Sequence, residues 1–116
     1  MIYKIKYNGK LVSNNEFYSG MHWSKRNKLK DDFRIVFSDL LRVNKIKPIE
    51  HPFNFKMRYN SRHDCDNLVA TTKIFIDTMK GKYIPDDTTK FYKSVMIEFD
   101  PTLEKNTAMF EIEVLT

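Results

Sequence analysis

Phe53, Phe55, Met57 and Tyr59 stand at every second position, with Lys56 and Arg58 between them. Successive side chains of a strand point to opposite faces, so this alternation calls for a sheet with one apolar and one polar face. Upstream the period is different. From Trp23 onward, Leu29, Phe33, Val36, Phe37, Leu40 and Leu41 recur at three- and four-residue spacing, as on the buried stripe of a helix. Lys25, Arg26, Lys28, Lys30 and Arg34 fall on its polar face, and the segment from Asn44 to Pro48 ends it. Both periods in one short chain lay a helix on a sheet, which is the mixed α/β (α+β) class.

The other elements follow the same logic. Residues 2–7 (IYKIKY) alternate apolar and basic, and Asn8-Gly9 predicts a tight hairpin turn with residues 10–13 as the return strand. Residues 13–20 (SNNEFYSG) have the composition of a loop. A second helix is expected over about residues 67–80, with Gly81 where a helix-terminating glycine belongs. Pro85-Asp86-Asp87 predicts a turn, and residues 92–99 and 108–115 two further strands. The expected order is ββαβαββ: a mixed sheet with two helices in a single small domain over residues 1–116.

At 116 residues and 41% hydrophobic, the chain can bury about two-thirds of its unfolded surface, enough for one real core. Three glycines, four prolines and no low-complexity tract argue against disorder. No apolar run is long enough to span a bilayer. The start, MIYKIKYNGK, lacks the apolar stretch of a secretory signal, and the lone Cys65 allows no internal disulfide. A cytoplasmic protein is expected. The net charge of +5 is unevenly spread: residues 1–62 carry 14 basic and 5 acidic groups, residues 63–116 carry 6 and 10. The basic half favours a polyanionic partner. Carboxylates in such a protein would repel phosphates unless a cation stood between them.

Asp64 and Asp66 flank Cys65 in a strand-to-helix connection, where residues at i and i+2 of extended chain point to one side. Mg²⁺ is commonly held by one or two carboxylates, water and substrate phosphate. On an uninterrupted helix Asp66, Ala70, Lys73 and Asp77 would share a stripe. Two carboxylates about 5 Å apart repel by roughly 3 kcal/mol at an effective dielectric near 20, which favours protonation or a bound cation. Plainer roles are open to the same residues. Asp64 or Asp66 would serve as a helix cap, Lys73 and Asp77 as a surface pair, and Asp86-Asp87 as turn formers. Zinc is not expected from Cys65 and the scattered His22, His51 and His63, and no phosphate-cradling Gly-rich loop for a nucleotide cofactor or Gly-x-Ser-x-Gly element is present.

The stretch HDCDNLVATTKIFIDTMKGKYIPDD resembles the signature of the RusA family of Holliday junction resolvases and related phage and prophage endonucleases. The matching residues are Asp64, Asp66 and Asn67, then Lys73 and Asp77, Gly81, and the pair Asp86-Asp87. NNEFYSGMHWSKRNK, with Asn15, His22, Trp23 and Arg26, is similar to the loop that opens many members. One departure is plain: the family's lysine typically follows the Asn after three residues, whereas Lys73 follows Asn67 after six. The resemblance implies Asp64, Asp66 and Asp87 as ligands of Mg²⁺ (Mn²⁺ as substitute), Asp86 as a secondary ligand, and Lys73 beside the scissile phosphate or attacking water. It implies a homodimer that nicks two opposed strands of a four-way DNA junction, leaving 5′-phosphate and 3′-hydroxyl ends. A nuclease for flaps or forks and a non-cleaving binder of branched DNA are the rival expectations.

For DNA contact the candidates are Asn15, His22, Trp23, Lys25, Arg26, Lys28, Lys30, Arg62, His63 and Asn67. Trp23 is expected either to stack on an exposed base or, with a slight preference, to anchor the first helix in the core. The lysines and Arg34 are either phosphate contacts or a solvated helix face.

Overall fold

The computed structural model describes residues 1–18, 20 and 22–116. Its elements are β1 (Ile2–Asn8), α1 (Asn14–Tyr18), α2 (Trp23–Val43), β2 (Phe53–Asn60), a 3₁₀ turn (Cys65–Leu68), α3 (Val69–Met79), β3 (Tyr92–Phe99) and β4 (Thr107–Val114). The four strands form one mixed sheet in the order β1-β4-β2-β3. β4 runs antiparallel to both β1 and β2, while β2 and β3 are parallel across the α3 crossover. This is a mixed α+β domain, as the two sequence periods require.

Alternation sets the core face. Phe53, Phe55, Met57 and Tyr59 of β2 are buried, with Ala108, Phe110 and Ile112 of β4 and Ile5 and Tyr7 of β1 beside them. Phe33, Phe37 and Leu41 of α2 cover one part of that face, and α3 covers the rest with Ile74, Phe75 and Met79. Aromatic rings meet at the centre: Phe75 stacks on Phe110 at 4.2 Å, and Phe37 packs on Phe110 edge-to-face at 5.5 Å. Burying each such ring contributes about 1.5–3 kcal/mol relative to exposure.

Several expectations fail for identifiable reasons. Residues 10–13 are not a strand, because β1 pairs with β4, Asn8 lying opposite Thr107. Leu11 and Val12 instead bury themselves on α3, where the Thr71 hydroxyl accepts from the Val12 N–H (3.1 Å) and donates to its carbonyl (2.7 Å). That docking satisfies the backbone without a ladder. The Asn8-Gly9 bend remains, with Gly9 at φ +150°, where a Cβ would lie 2.9 Å from the Tyr7 hydroxyl.

Residues 14–18, expected as loop, form α1. Ser13 and Glu16 are its capping pair: the Glu16 N–H donates to Ser13 Oγ (3.1 Å), and the Ser13 hydroxyl donates to Glu16 Oε1 (3.2 Å). Within α2, Val36 is 43% exposed and Trp23 66% exposed, so neither belongs to the buried stripe and Trp23 is no core anchor. A helix of 3.6 residues per turn keeps Phe33, Phe37 and Leu41 inward and carries Val36 off the seam. Among the described residues, no helix is long and apolar enough to cross a membrane.

Candidate functional site

The expected second helix begins with a 3₁₀ turn, and this places the acidic residues. Asp64 precedes that turn in extended conformation and Asp66 lies within it. Neither carboxylate caps anything: no side-chain cap bond forms at Asp64 for the 3₁₀ turn or at Leu68 for α3. The cap comes from afar. Asn14, at the start of α1, accepts the Ala70 N–H with its Oδ1 (2.7 Å) and donates from Nδ2 to the Asp66 carbonyl (3.2 Å). Next to it the Asn15 N–H donates to Asn67 Oδ1 (3.2 Å). The ends of α1 and α3 are thereby stitched together across more than fifty residues of sequence.

The stitching leaves an open recess of about 370 Å³ lined by Asn14, Asn15, Asp64, Asp66 and Asn67. Four of these five were singled out from sequence; Asn14 was not, although its place directly after Ser13, inside the Ser-x-x-Glu capping signal, was a usable clue. Among the described residues, neither the Asp64 nor the Asp66 carboxylate has a hydrogen-bond or ion-pair partner. Beneath them Tyr59 fixes the loop, its hydroxyl donating to the His63 carbonyl (2.7 Å) and lying 3.4 Å from Cys65 Sγ. Burial pushes the Tyr59 hydroxyl far up, and the neighbouring Cys65, Asp64 and Asp66 push it further, so it stays a donor.

Of the expected Asp66-Ala70-Lys73-Asp77 stripe, Ala70, Lys73 and Asp77 keep their helical spacing on α3 but Asp66 falls outside it. A 3₁₀ turn advances each residue by about 120° rather than 100°, so the phase set at Asp66 is lost before α3 begins. Ala70 is buried, and the exposed residues of α3 are Val69 and Lys73. Lys73 is not part of the recess lining. Nor does it pair with Asp77, which meets Lys30 of α2 at 3.7 Å.

Asp86 and Asp87 lie elsewhere. Both face Lys80 at the end of α3, at 4.0 and 3.4 Å, and Asp87 adjoins Tyr92 at the start of β3. Asp64 and Asp66 follow the end of β2, which runs parallel to β3 with Phe53 opposite Tyr92 and Tyr59 opposite Phe99. The two acidic pairs are thus at opposite ends of the strand pair, roughly 20 Å apart at about 3.3 Å per residue. Within one chain, therefore, Asp87 and Asp86 do not join Asp64 and Asp66. No group of three or more His, Cys, Asp or Glu side chains suited to a metal gathers among the described residues. Partial burial raises the Asp87 carboxyl, but its Asp86 hydrogen bond and Lys80 outweigh that and hold it below the usual carboxylate range.

Of the expected DNA contacts, Lys25 and Lys28 are exposed on α2 and Arg62 is exposed in the β2–α3 loop. Arg26 is committed to α1: its Nε donates to the Phe17 carbonyl (2.9 Å), and its guanidinium lies 5.9 and 5.8 Å from the Phe17 and Tyr18 ring centres. His22 caps α2, accepting the Ser24 N–H at Nδ1 (3.2 Å), with its ring beside that of Trp23. His63 is largely covered, its Nδ1 2.9 Å from Ser61 Oγ. No protein-family model matches the chain, and no curated protein matches it significantly.

Proposed function

We propose that this chain is a Mg²⁺-dependent endodeoxyribonuclease that nicks branched DNA, with four-way junctions resolved by paired symmetric cuts, as the RusA-like motif implies. One observation carries the reading: Asp64 and Asp66, free of any capping role, face an open recess with Asn15 and Asn67 and have no protein cation among the described residues to neutralise them. In a chain of net charge +5, that arrangement favours a hard divalent cation between carboxylate and phosphate. The donor set fits Mg²⁺ (or Mn²⁺), being oxygen only, with Asp64 and Asp66 as ligands. When bound, the ion supplies charge neutralisation on the phosphodiester and a water of lowered pKa.

The chain's own groups do the rest. Tyr59 holds the loop so that both carboxylates stay aimed at the recess. The side chain of Asn15 is exposed and offers an amide donor to a phosphate oxygen. Lys73, Arg62 and the exposed lysines of α2 supply positive charge for the DNA backbone, which gives affinity without sequence reading.

A resolvase of this kind works as a homodimer, since two opposed nicks need two sites related by a two-fold axis. The edge strand β3 supports such pairing, because Val95 and Met96 are about half exposed on a strand with one unpaired side. Asp87 enters the scheme the same way: separated from Asp64 and Asp66 by the length of α3, it reaches a metal site only in a second copy. Its pair with Lys80 is a surface contact of about 0–1 kcal/mol, readily exchanged for a metal. The setting is the cytoplasm, where branched DNA and a reduced Cys65 coexist.

The test is a nicking assay on a synthetic four-way junction in Mg²⁺ or EDTA, beside flap, fork and linear duplex. Symmetric Mg²⁺-dependent nicks at the junction, abolished by Asp66→Asn, are the expected result. Preferred cutting of flaps or forks would replace the junction as substrate. Binding without cleavage in both Mg²⁺ and Mn²⁺ would make the protein a branched-DNA binder.

A further inference from the structure

Beside the acidic recess lies a larger groove, about 820 Å³, walled by the β1–α1 connection, the β2–α3 loop and the β3–β4 loop. Three cations reach it, Lys10, Arg62 and Lys105, against one carboxylate, Glu16. Glu16 is already engaged: Lys10 lies 3.1 Å from it, and Ser13 donates to it. Arg62 and Lys105 are exposed and have no ion-pair partner among the described residues.

At the mouth stands Phe99, the last residue of β3 and 47% exposed. Its ring is braced edge-to-face on buried Tyr59, centroids 5.7 Å apart. An exposed phenyl ring held rigid among unpaired cations is the combination that single-stranded nucleic acid uses, bases stacking on the ring and phosphates meeting the cations. A duplex keeps its base faces stacked and offers nothing to that ring. A nucleotide polyphosphate would want its cations converging on one point, whereas Arg62 and Lys105 come from two separate loops.

The position adds direction. Ser61, Arg62 and His63 line the groove, and the next residue, Asp64, lines the acidic recess. We infer that the groove holds an unpaired DNA strand, with Phe99 as stacking platform and Arg62 and Lys105 as phosphate contacts, and leads it to the carboxylates. The last clause rests on the nuclease reading; the binding itself does not.

The test is fluorescence anisotropy of a labelled oligothymidylate with the full chain in EDTA, beside a duplex of equal length. Phe99→Ala is expected to weaken oligothymidylate binding roughly tenfold, with duplex binding unchanged and Phe99→Trp restoring the loss. Arg62→Gln and Lys105→Gln should each lower the salt slope of log affinity by about 0.7. Circular dichroism and melting confirm that each variant folds. No binding by the wild type, or a loss in Phe99→Ala equal for single strand and duplex, overturns the groove. Phe99-dependent binding without Mg²⁺-dependent nicking leaves the groove standing and removes the nuclease. Nicking with oligothymidylate binding indifferent to Phe99 does the reverse.

Discussion

Asp64 and Asp66 are exposed and unpaired among the described residues, and their neighbours explain how they are kept in place. Asp64 and Asp66 stand on a loop held by Tyr59 from below and by Asn14 and Asn15 from the side. Removing the Tyr59 hydroxyl leaves the His63 carbonyl short of its donor. Tyr59→Phe should therefore cost about 1 kcal/mol in urea unfolding. It should also weaken the Mg²⁺ dependence of nicking several-fold while junction binding in EDTA holds; unchanged Mg²⁺ titration would leave Tyr59 a purely structural residue. Asp66→Asn acts on the opposite side of the balance. It removes a ligand together with a charge that repels phosphate, so nicking should vanish while junction affinity in EDTA stays equal or rises. At this scale the Asp-x-Asp-Asn pattern showed which acids to watch, but the extended geometry expected for it does not hold, because Cys65 and Asp66 belong to the 3₁₀ turn. It could not show that Asn14 takes over the cap, since that bond joins residues 56 apart.

The elements show where periodicity suffices and where it does not. β2, α2 and β4 were legible because their alternation or helical spacing runs for several repeats and ends on the core. Asn8-Gly9 reads as a hairpin, yet β1 pairs with β4 instead, and Leu11 and Val12 are buried with Val12 bonded to Thr71 of α3. The Asp66-to-Asp77 phase failed because one 3₁₀ turn is invisible in a hydrophobic pattern. The end of α2 carries a testable strain. Lys45 sits at φ 56°, with its N–H donating to the Arg42 carbonyl and the next N–H, of Ile46, to the Leu41 carbonyl. This is the Schellman arrangement, whose left-handed residue is normally glycine. Lys45→Gly should stabilise the fold by about 0.5–1 kcal/mol, read as a raised urea midpoint at constant slope. At the other end of the sheet, the Thr102 hydroxyl and N–H, and then Arg58, hold the Asp100 carboxyl below its usual range. A depressed carboxyl contributes stability that is whole above about pH 4 and fades as pH falls through its folded value. Thr102→Ala should shrink that contribution, so that melting profiles of variant and wild type diverge above about pH 4 and converge in acid.

As a whole molecule, the chain presents its two acidic pairs at opposite ends of α3, and no bend within one copy brings them together. The motif that suggested a three-carboxylate site was read along a line, and a line carries no record of which chain each residue serves. Asp87 is anionic and pairs at the surface only with Lys80, so in the proposed two-fold dimer it is free to serve the recess of the other copy. Shared sites make a distinctive demand on mixed dimers. Asp66→Asn and Asp87→Asn chains, each inactive alone, can be co-expressed with different tags and the heterodimer purified. If each site takes Asp64 and Asp66 from one copy and Asp87 from the other, the heterodimer carries one site with both substitutions and one with neither. It should then nick one strand of a junction, at about half the wild-type number of cuts per dimer, and fail to make the paired cut. If every site draws all its carboxylates from one chain, both sites of the heterodimer are damaged and no nicking returns.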